Sequence, residues 1–207
     1  MPLQNRVTPT GEIIATPHRG LFMGNRGGQI HDAKRTLSGR RWTSRAWITC
    51  VLEWKGRREV IMADRRYTQL FFLDEATALA AGHRPCALCR RADYTRFMAH
   101  WAAAHDLARP PLAPAVDHVL HGERLTETGG KRTHRARLTD LPDGCFVVTR
   151  EGPALKLAGR LLAWTPAGYS GVLGHASATA DVLTPPGLVA VLKAGYRPLL
   201  HPSSSLS

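Results

Sequence analysis

Two cysteines with metal-ligand spacing carry the most specific chemical signal in this chain. Cys86 and Cys89 form a C-x2-C pair within RPCALCRR, residues 84–91, directly before a predicted helix. This spacing lets both sulfurs face one Zn²⁺, which would supply half of a tetrahedral site. The helix N-terminus and the neighbouring arginines favour the thiolate form that binds metal. The pair therefore predicts zinc binding.

The rest of the metal site must come from elsewhere in the chain. Cys50, at the end of the predicted strand segment WITC, is the candidate for the third ligand. The alternative is that the thiols are simply buried beside a helix start. In a cytoplasmic chain thiols stay reduced, so we do not expect disulfides. The fourth ligand stays open among His31, His83, His105 and Cys145.

A glycine-rich segment could perform acid–base chemistry. GNRGGQIHD, residues 24–32, contains Arg26, His31 and Asp32. Its glycines permit close approach of the backbone to a ligand. Adjacent side chains on an extended chain point to opposite sides, so His31 and Asp32 form no simple dyad unless the loop turns there.

A polar helix face could complete such a site. VDHVLHGER, residues 116–124, places Asp117, His121 and Arg124 on one face, because they are spaced i, i+4 and i+7. Asp117 could orient His121 and raise its pKa towards neutrality. The alternative is a solvated polar stripe on a surface helix. An enzyme acting on nucleic acid, a nuclease or a base-excision activity, would use as catalytic residues His31, Asp32, Asp117 and His121.

The charge balance indicates an anionic partner. The chain has 28 Lys and Arg residues against 16 Asp and Glu, a formal net charge of +12, and most of the cations are arginine. The arginine fork suits phosphate oxygens and base edges, so DNA or RNA is the expected partner. A soluble basic surface without such a partner is the alternative. The expected phosphate contacts are Arg26, Arg84, Arg90, Arg91, Arg124, Lys131, Arg132 and Arg135.

Local patterns predict the elements that must position these residues. A hairpin is expected from residues 45–55 and 59–63. A helix should begin after Asp74 and end at Gly82. Further helices are expected at about 88–106 and 115–126. Three short strands should follow between residues 145 and 164, and a last helix should begin at Pro185 and end at Gly195.

These elements predict an α+β fold. A hairpin-and-helix portion that contains the zinc is followed by a small antiparallel β-sheet, which a C-terminal helix closes. The predicted division is a zinc-containing portion at 1–110, a helix and basic linker at 111–140, and a β-rich portion at 141–207, or one compact domain overall. No apolar run is long enough to predict a membrane span, and the N-terminus lacks a secretory signal. We expect a cytoplasmic protein.

One segment resembles a known family. FFLDEATALAAGHRPCALCRR, residues 71–91, is similar to the second half of the zinc subdomain of the Ada DNA-repair proteins. The resemblance implies that Cys86 and Cys89 are zinc ligands and that Arg84 and Arg90 contact phosphate. That family takes its other ligands, one of them the methyl acceptor, from an upstream C-x3-C pair. Cys50 has no partner at that spacing, which departs from a four-thiolate, methyl-accepting site. The whole chain also resembles an uncharacterised bacterial protein family, which implies no particular activity.

Two further patterns are partial. Zinc-dependent deaminases combine P-C-x-x-C at a helix start with an upstream [HC]-x-E. Cys50 and Glu53 here read C-x-x-E, one residue too long for the glutamate to reach the correct side of the metal. HNH nucleases place D-H near a glycine-rich turn, and Asp117-His118 precedes Gly129 loosely in this manner. However, the segment around Asp117 is predicted to be helical, and no second C-x-x-C follows.

The sequence thus predicts a zinc-containing nucleic-acid-binding protein that acts in DNA repair, defence or processing. The alternative is an enzyme acting on nucleic acid through a His/Asp/Arg site. A basic protein that binds a partner without chemistry is a third interpretation. DNA and RNA are not distinguished by the sequence.

Overall fold

The computed structural model of the protein describes residues 1–56, 60–173 and 178–205. These residues form an α+β structure with two six-stranded sheets and four α-helices. The first sheet comes from the N-terminal half of the chain and the second from the C-terminal third. The predicted fold class is therefore confirmed, whereas the predicted hairpin is not.

The first sheet contains β1 (Gln4–Val7), β2 (Ile13–Ala15), β3 (Phe22–Asn25), β4 (Ile48–Cys50), β5 (Leu70–Phe72) and β6 (Arg84–Pro85). Their order across the sheet is β2-β1-β5-β3-β4-β6. β1 is parallel to β5 and β4 is parallel to β6, while the other neighbours are antiparallel. The parallel pairing of β4 with β6 brings together residues distant in the sequence.

The hairpin predicted between residues 45–55 and 59–63 is not formed by the described residues. β4 pairs with β3 and β6 instead, and residues 60–63 contain a turn and no strand, while Glu59 lies outside the described residues. β3 overlaps the start of the glycine-rich segment, residues 24–32. Gly24 makes this pairing possible, because a Cβ there would lie 2.1 Å from the Ile48 carbonyl oxygen.

Helix α1 (Glu75–Ala80) has the ends that the sequence predicts. The Asp74 carboxylate accepts a hydrogen bond from the Thr77 N–H at 2.8 Å, as an N-cap should. Gly82, just past the helix, has φ +87°, the left-handed conformation of a C-terminal glycine. The next helices are α2 (Arg91–Ala104) and α3 (Ala113–Arg124), each within about three residues of its predicted bounds.

The second sheet contains β7 (His134–Arg137), β8 (Phe146–Thr149), β9 (Gly152–Leu157), β10 (Arg160–Thr165), β11 (Gly168–Leu173) and β12 (Thr179–Val182). It is antiparallel throughout, in the order β11-β10-β9-β8-β12-β7. The predicted three-strand meander corresponds to β8, β9 and β10. Two short 3₁₀ helices lie at Leu138–Asp140 and Pro202–Ser204.

The last helix, α4 (Pro186–Lys193), packs in the largest apolar cluster of the molecule. That cluster also contains Phe97 and Trp101 of α2, Leu120 of α3 and Val147 of β8. Residues from both halves of the chain therefore share one core. None of the helices in the described ranges combines the length and the apolar character needed to span a bilayer.

Candidate metal centre and cation pocket

The three cysteines predicted as ligands lie together where β4 and β6 end. Their Sγ atoms are all within 4.8 Å of one another. Cys50 ends β4, and Cys86 directly follows β6. The Cys86 N–H donates to the Thr49 carbonyl oxygen at 2.9 Å, so the strand register places Cys50 and Cys86 side by side. Together with Cys89 at the start of α2, these residues could hold one metal ion.

Hydrogen bonds within this thiol cluster favour a thiolate at Cys86. Those from the thiols of Cys50 and Cys89 lower the pKa of Cys86 to about 2, although burial opposes the shift. The Leu88 N–H also donates to the Cys86 sulfur, at 3.4 Å. The contact with Cys86 in turn raises the pKa of Cys50. The three sulfurs lie close enough to share thiol protons, and a bound metal would displace those protons.

None of the four candidates for a fourth ligand joins the thiol cluster within the described ranges. Three of them, His31, His83 and His105, form hydrogen bonds with other parts of the chain, and Cys145 packs in the largest apolar cluster. Cys89 is only half-buried, so the thiol cluster reaches the protein surface. Three thiolates leave one position of a tetrahedral metal for another ligand.

Two arginines expected to contact phosphate are engaged by carboxylates inside the protein. Arg84 donates to both carboxylate oxygens of Asp117, at 2.8 and 2.7 Å. Arg90 donates to Glu75 at 2.8 Å and to Asp93 at 2.9 Å. Arg84 therefore ties β6 to α3, and Arg90 ties α1 to α2. Contact with phosphate would require these ion pairs to open.

Arg26 and Arg124 are also buried but have no carboxylate partner in the described part of the chain. The guanidinium carbon of each lies 3.9 Å from the ring centroid of Trp47. Arg26 donates to the Gly11 carbonyl oxygen at 2.8 Å, and Arg124 donates to that of Gly82 at 2.9 Å. A Cβ at Gly82 would lie 2.5 Å from the Arg124 side chain, so this glycine also makes room for the arginine. These partners are dipoles and a π face. Asp117, which forms its ion pair with Arg84, offsets only part of the effect of burial on the pKa of Arg124.

Lys131 adds a third cation, and its ammonium donates to the Ala80 carbonyl oxygen. Burial, reinforced by Arg26 and Arg124, lowers the pKa of Lys131 to about 7. Burial is also the main reason why the pKa of each of those arginines falls to about 9. Burial and the same cations hold the pKa of His83 well below its usual range. We call Arg26, Arg124 and Lys131 the cation cluster.

A cavity of about 380 Å³ lies against the cation cluster. All three cations line it, together with Arg41 and the indoles of Trp42 and Trp47. Glu12 is the only acidic residue among the described residues that line it. We call this cavity the cation pocket. Its surplus of positive charge suits an anionic ligand.

Two of the residues predicted to be catalytic lie in the loop after β3, each with other partners. His31 is buried, with Nδ1 2.6 Å from the Thr68 hydroxyl and Nε2 3.2 Å from the Ala63 carbonyl oxygen. Asp32 is exposed, and its carboxylate accepts from the N–H groups of Lys34 and Thr36. The loop does turn at this point, but each side chain binds other groups of the loop, so the two residues shape the loop and form no dyad.

The other two lie on α3, and no hydrogen bond joins them within the described residues. Both Asp117 oxygens accept from Arg84, so the carboxylate does not orient His121. The His121 Nδ1 atom instead lies 3.0 Å from an Arg124 nitrogen. Because arginine can only donate, Nδ1 accepts and Nε2 carries the proton. Burial, followed by Arg124 and other cations, lowers the pKa of His121, opposite to the expected rise. The imidazole is therefore neutral near pH 7, and it lies against Trp42 with ring centroids 5.9 Å apart.

Three of the predicted phosphate contacts remain exposed. Arg91 begins α2 beside the thiol cluster. Arg132 donates to the Leu125 carbonyl oxygen at 3.0 Å, and Arg135 on β7 donates to the Thr179 hydroxyl at 2.8 Å. These arginines have no carboxylate partner among the described residues, so phosphate oxygens can reach them.

The sequence interpretation missed the aromatic part of the cation pocket. Trp42 and Trp47 lie in the arginine-containing runs RRW and RAW, but the cations that pack on Trp47 come from outside these runs. Arg41, which belongs to the first run, also lines the cavity. Only the fold shows that Arg124, far along the chain, packs on the same indole.

Comparison of the chain with models of known protein families, with curated proteins and with solved structures finds no match. The thiol cluster and the cation pocket are therefore the features that indicate the function.

Proposed function

We propose that the protein is a zinc-containing nucleic-acid-binding protein, and that it acts in DNA repair, defence or processing. The observation that carries this proposal is the cation pocket, which gathers the buried Arg26 and Arg124 and the partly buried Lys131, none of which forms a salt bridge among the described residues. Such an arrangement is costly unless an anion completes it. Nucleic acid supplies closely spaced phosphates, so it is the anion that a basic surface of this size suits best.

Two basic stretches meet at the mouth of the cation pocket. Residues 33–45 and 128–137 together contain no Asp or Glu. Gly129, in the second stretch, lies against Trp42 in the first, since a Cβ at Gly129 would be 3.1 Å from the indole. Phosphates on either side of the pocket would therefore meet cations. The cations are Lys34, Arg35, Arg40, Arg41, Arg45, Lys131, Arg132, Arg135 and Arg137.

Zinc is the metal that best suits the thiol cluster. Thiolate sulfur is a soft ligand, and tetrahedral sites rich in cysteine are typical of Zn²⁺. A metal there would tie Cys50 on β4 to Cys86 after β6. Trp47 directly precedes β4, and Arg84 on β6 holds α3 through Asp117. The metal would thus support the walls of the cation pocket and does not need to react itself.

Binding is tested by fluorescence anisotropy of labelled single-stranded DNA, duplex DNA and single-stranded RNA at several salt concentrations. On duplex DNA each phosphate contact contributes about −0.9 to the slope of log K against log salt. Replacing Arg132 and Arg135 by Ala should weaken binding and make the slope shallower by about one per lost contact. The matched control replaces Arg150 and Arg160, exposed arginines of the second sheet, and should change little. Absence of binding at low salt, or binding that is insensitive to salt, would refute the proposal.

One observation favours an enzyme as the second candidate. The neutral His121 ring packs edge-on against Trp42, which lines the cation pocket. A neutral imidazole donor could assist departure of an oxygen or a base from a bound nucleotide. The test compares nicking and base release by His121→Ala with those by His118→Ala, an exposed histidine on the same helix. Turnover that is lost only in His121→Ala supports catalysis, and absence of turnover in the parent protein rejects it.

A further inference from the structure

We propose that the cation pocket binds a phosphate monoester carried by a nucleoside, either the terminal phosphate of a nucleic-acid strand or a free mononucleotide. This inference deepens the proposed function and rests on it for the identity of the longer ligand. It differs from general binding of nucleic acid, because it assigns the pocket to a strand end and not to the continuous backbone.

The pocket contains buried arginines that form no salt bridge among the described residues. Arg84 and Arg90 show that this fold neutralises buried guanidinium groups with carboxylates where they serve structure. Arg26 and Arg124 have no such partner in the described ranges, and the buried Nε of Arg124 has no hydrogen-bond acceptor there. A phosphate monoester carries close to two negative charges at neutral pH and several acceptor oxygens. It therefore complements the three cations of the pocket better than a singly charged diester does.

The two arginines of the cation pocket lie too deep for the backbone of a continuous strand to contact them. Arg26 is 3% exposed and Arg124 is 1% exposed. A phosphodiester in a strand that lies along the surface is flanked by sugars and cannot approach such recessed side chains. A terminal phosphate can enter the cavity with its nucleoside behind it. The exposed Arg132 and Arg135 then remain available for the next phosphates of a strand.

The volume and the aromatic lining of the cavity suit a nucleoside. The cavity volume of about 380 Å³ lies within the usual range for small-molecule sites. Arg26 and Arg124 both cover the indole of Trp47, so Trp42 is the aromatic ring left to stack on a base. Trp42 lines the cavity next to the His121 ring, whose Nε2–H can donate to a sugar or phosphate oxygen.

Binding of a dianion should be coupled to uptake of a proton. Near pH 7 Lys131 is about half protonated, because burial and the neighbouring cations depress its pKa. A phosphate beside its ammonium raises that pKa, so the complex takes up a proton from solution. Affinity should therefore fall as the pH rises above 7. The groups that face Lys131 are Arg26 after β3, Arg124 on α3, His83 before β6 and His134 on β7.

The test uses the full chain with its metal and five probes: a strand with a 5′-phosphate, the same strand with a 5′-hydroxyl, adenosine monophosphate, adenosine and inorganic phosphate. Charge-assisted hydrogen bonds predict that each phosphorylated probe binds roughly 10- to 100-fold more tightly than its unphosphorylated counterpart. Lys131→Gln should reduce that ratio several-fold, and the exposed control Lys193→Gln should leave it unchanged. Trp42→Ala should weaken the binding of adenosine monophosphate more than the binding of inorganic phosphate. Calorimetry in buffers of different ionisation enthalpy should show proton uptake in the parent protein and not in Lys131→Gln.

The outcomes separate this inference from the proposed function. Equal, salt-sensitive binding of strands with phosphate and hydroxyl ends, without binding of the mononucleotide, overturns the inference and leaves nucleic-acid binding intact. Binding of adenosine monophosphate without binding of either strand supports the pocket and refutes the proposed function. Binding of inorganic phosphate at equal strength shows a simple anion site and overturns the nucleoside part. A phosphate preference that Lys131→Gln leaves unchanged places the binding elsewhere.

Discussion

Arg84 and Arg90 on one side, and Arg26 and Arg124 on the other, show two ways in which this protein buries a guanidinium group. All four side chains are buried, but only the first two form salt bridges with carboxylates. For Arg90, burial is the largest single influence and lowers the pKa, yet Glu75, Asp93 and Tyr196 together more than offset it and the net shift is upward. For Arg26 and Arg124, burial dominates and the pKa falls to about 9.

The difference separates a structural role from a role in binding. Glu75, the partner of Arg90, also accepts hydrogen bonds from the Tyr196 hydroxyl at 2.7 Å and the Leu199 N–H at 3.0 Å. That network joins α1, α2 and the C-terminal segment, and its charges balance internally. The cation cluster has no such balance among the described residues, so we assign it to an external anion. The thiol cluster is the opposite case, because its thiolate form could hold an external metal cation.

Removal of the metal should give the largest effect. Chelation, or Cys50→Ala, should lower the free energy of unfolding on the order of 5 kcal/mol, because the binding energy of a structural metal contributes directly to folding. The measurement is denaturant unfolding combined with elemental analysis of the purified protein. Cys145→Ala is the control, because Cys145 lies in the apolar core and should leave one zinc per chain. Purified parent protein with far less than one zinc per chain would contradict the prediction.

Breaking a buried ion pair should cause the second-largest loss of stability. Asp117→Ala leaves Arg84 buried without its carboxylate and should cost about 3–5 kcal/mol of stability. Urea denaturation measures this cost. The control is Asp140→Ala, which removes an exposed ion pair with Arg137 and should change stability little. Equal effects of the two substitutions would show that the burial of the pair does not matter.

Removal of a cation from the cation cluster should increase the stability of the protein, in contrast to the two preceding changes. The pKa of Lys131 is about 7 in the folded protein, below the ordinary lysine value of 10.5. Between these values the unfolded chain binds more protons, so stability rises with pH, and the cost is fully present below pH 7. Lys131→Met should therefore stabilise the protein at pH 6 by about 1–2 kcal/mol, with the gain shrinking towards pH 10. Unfolding curves across this pH range test it, with the exposed Lys193→Met as control. A variant that is less stable than the parent at pH 6 would be contrary to the expectation.

Addition of an anion should give the smallest change. Inorganic phosphate at about ten times its Kd should raise the free energy of unfolding by about 1.4 kcal/mol at constant ionic strength. Thermal unfolding in phosphate, compared with chloride at the same ionic strength, measures this. Lys131→Gln should lose most of the difference, and equal stabilisation of variant and parent would point to a general salt effect.

Local sequence signals predicted the elements with clear ends. The α1 helix carries an N-cap at Asp74 and a C-terminal glycine at Gly82, and both are present. The strands β8 to β10 alternate with turn residues, and the meander forms between neighbours in sequence. The predicted hairpin around β4 failed, because its true partners are distant along the chain: β3 ends at Asn25 and β6 begins at Arg84. Gly24 allows β3 and β4 to pair, but no local sequence signal predicts that pairing.

The sequence by itself determined the cysteine pair, the surplus of positive charge and the helices that have capping residues, because these depend on residue type and short spacing. The tertiary structure decided which charges are neutralised. Arg84 and Arg26 are the same residue type in similar basic surroundings, yet one meets Asp117 and the other meets Trp47. A guanidinium group is neutralised only by what lies within a few ångströms of it. Those neighbours come from elements far apart in the chain, and only the fold brings them together.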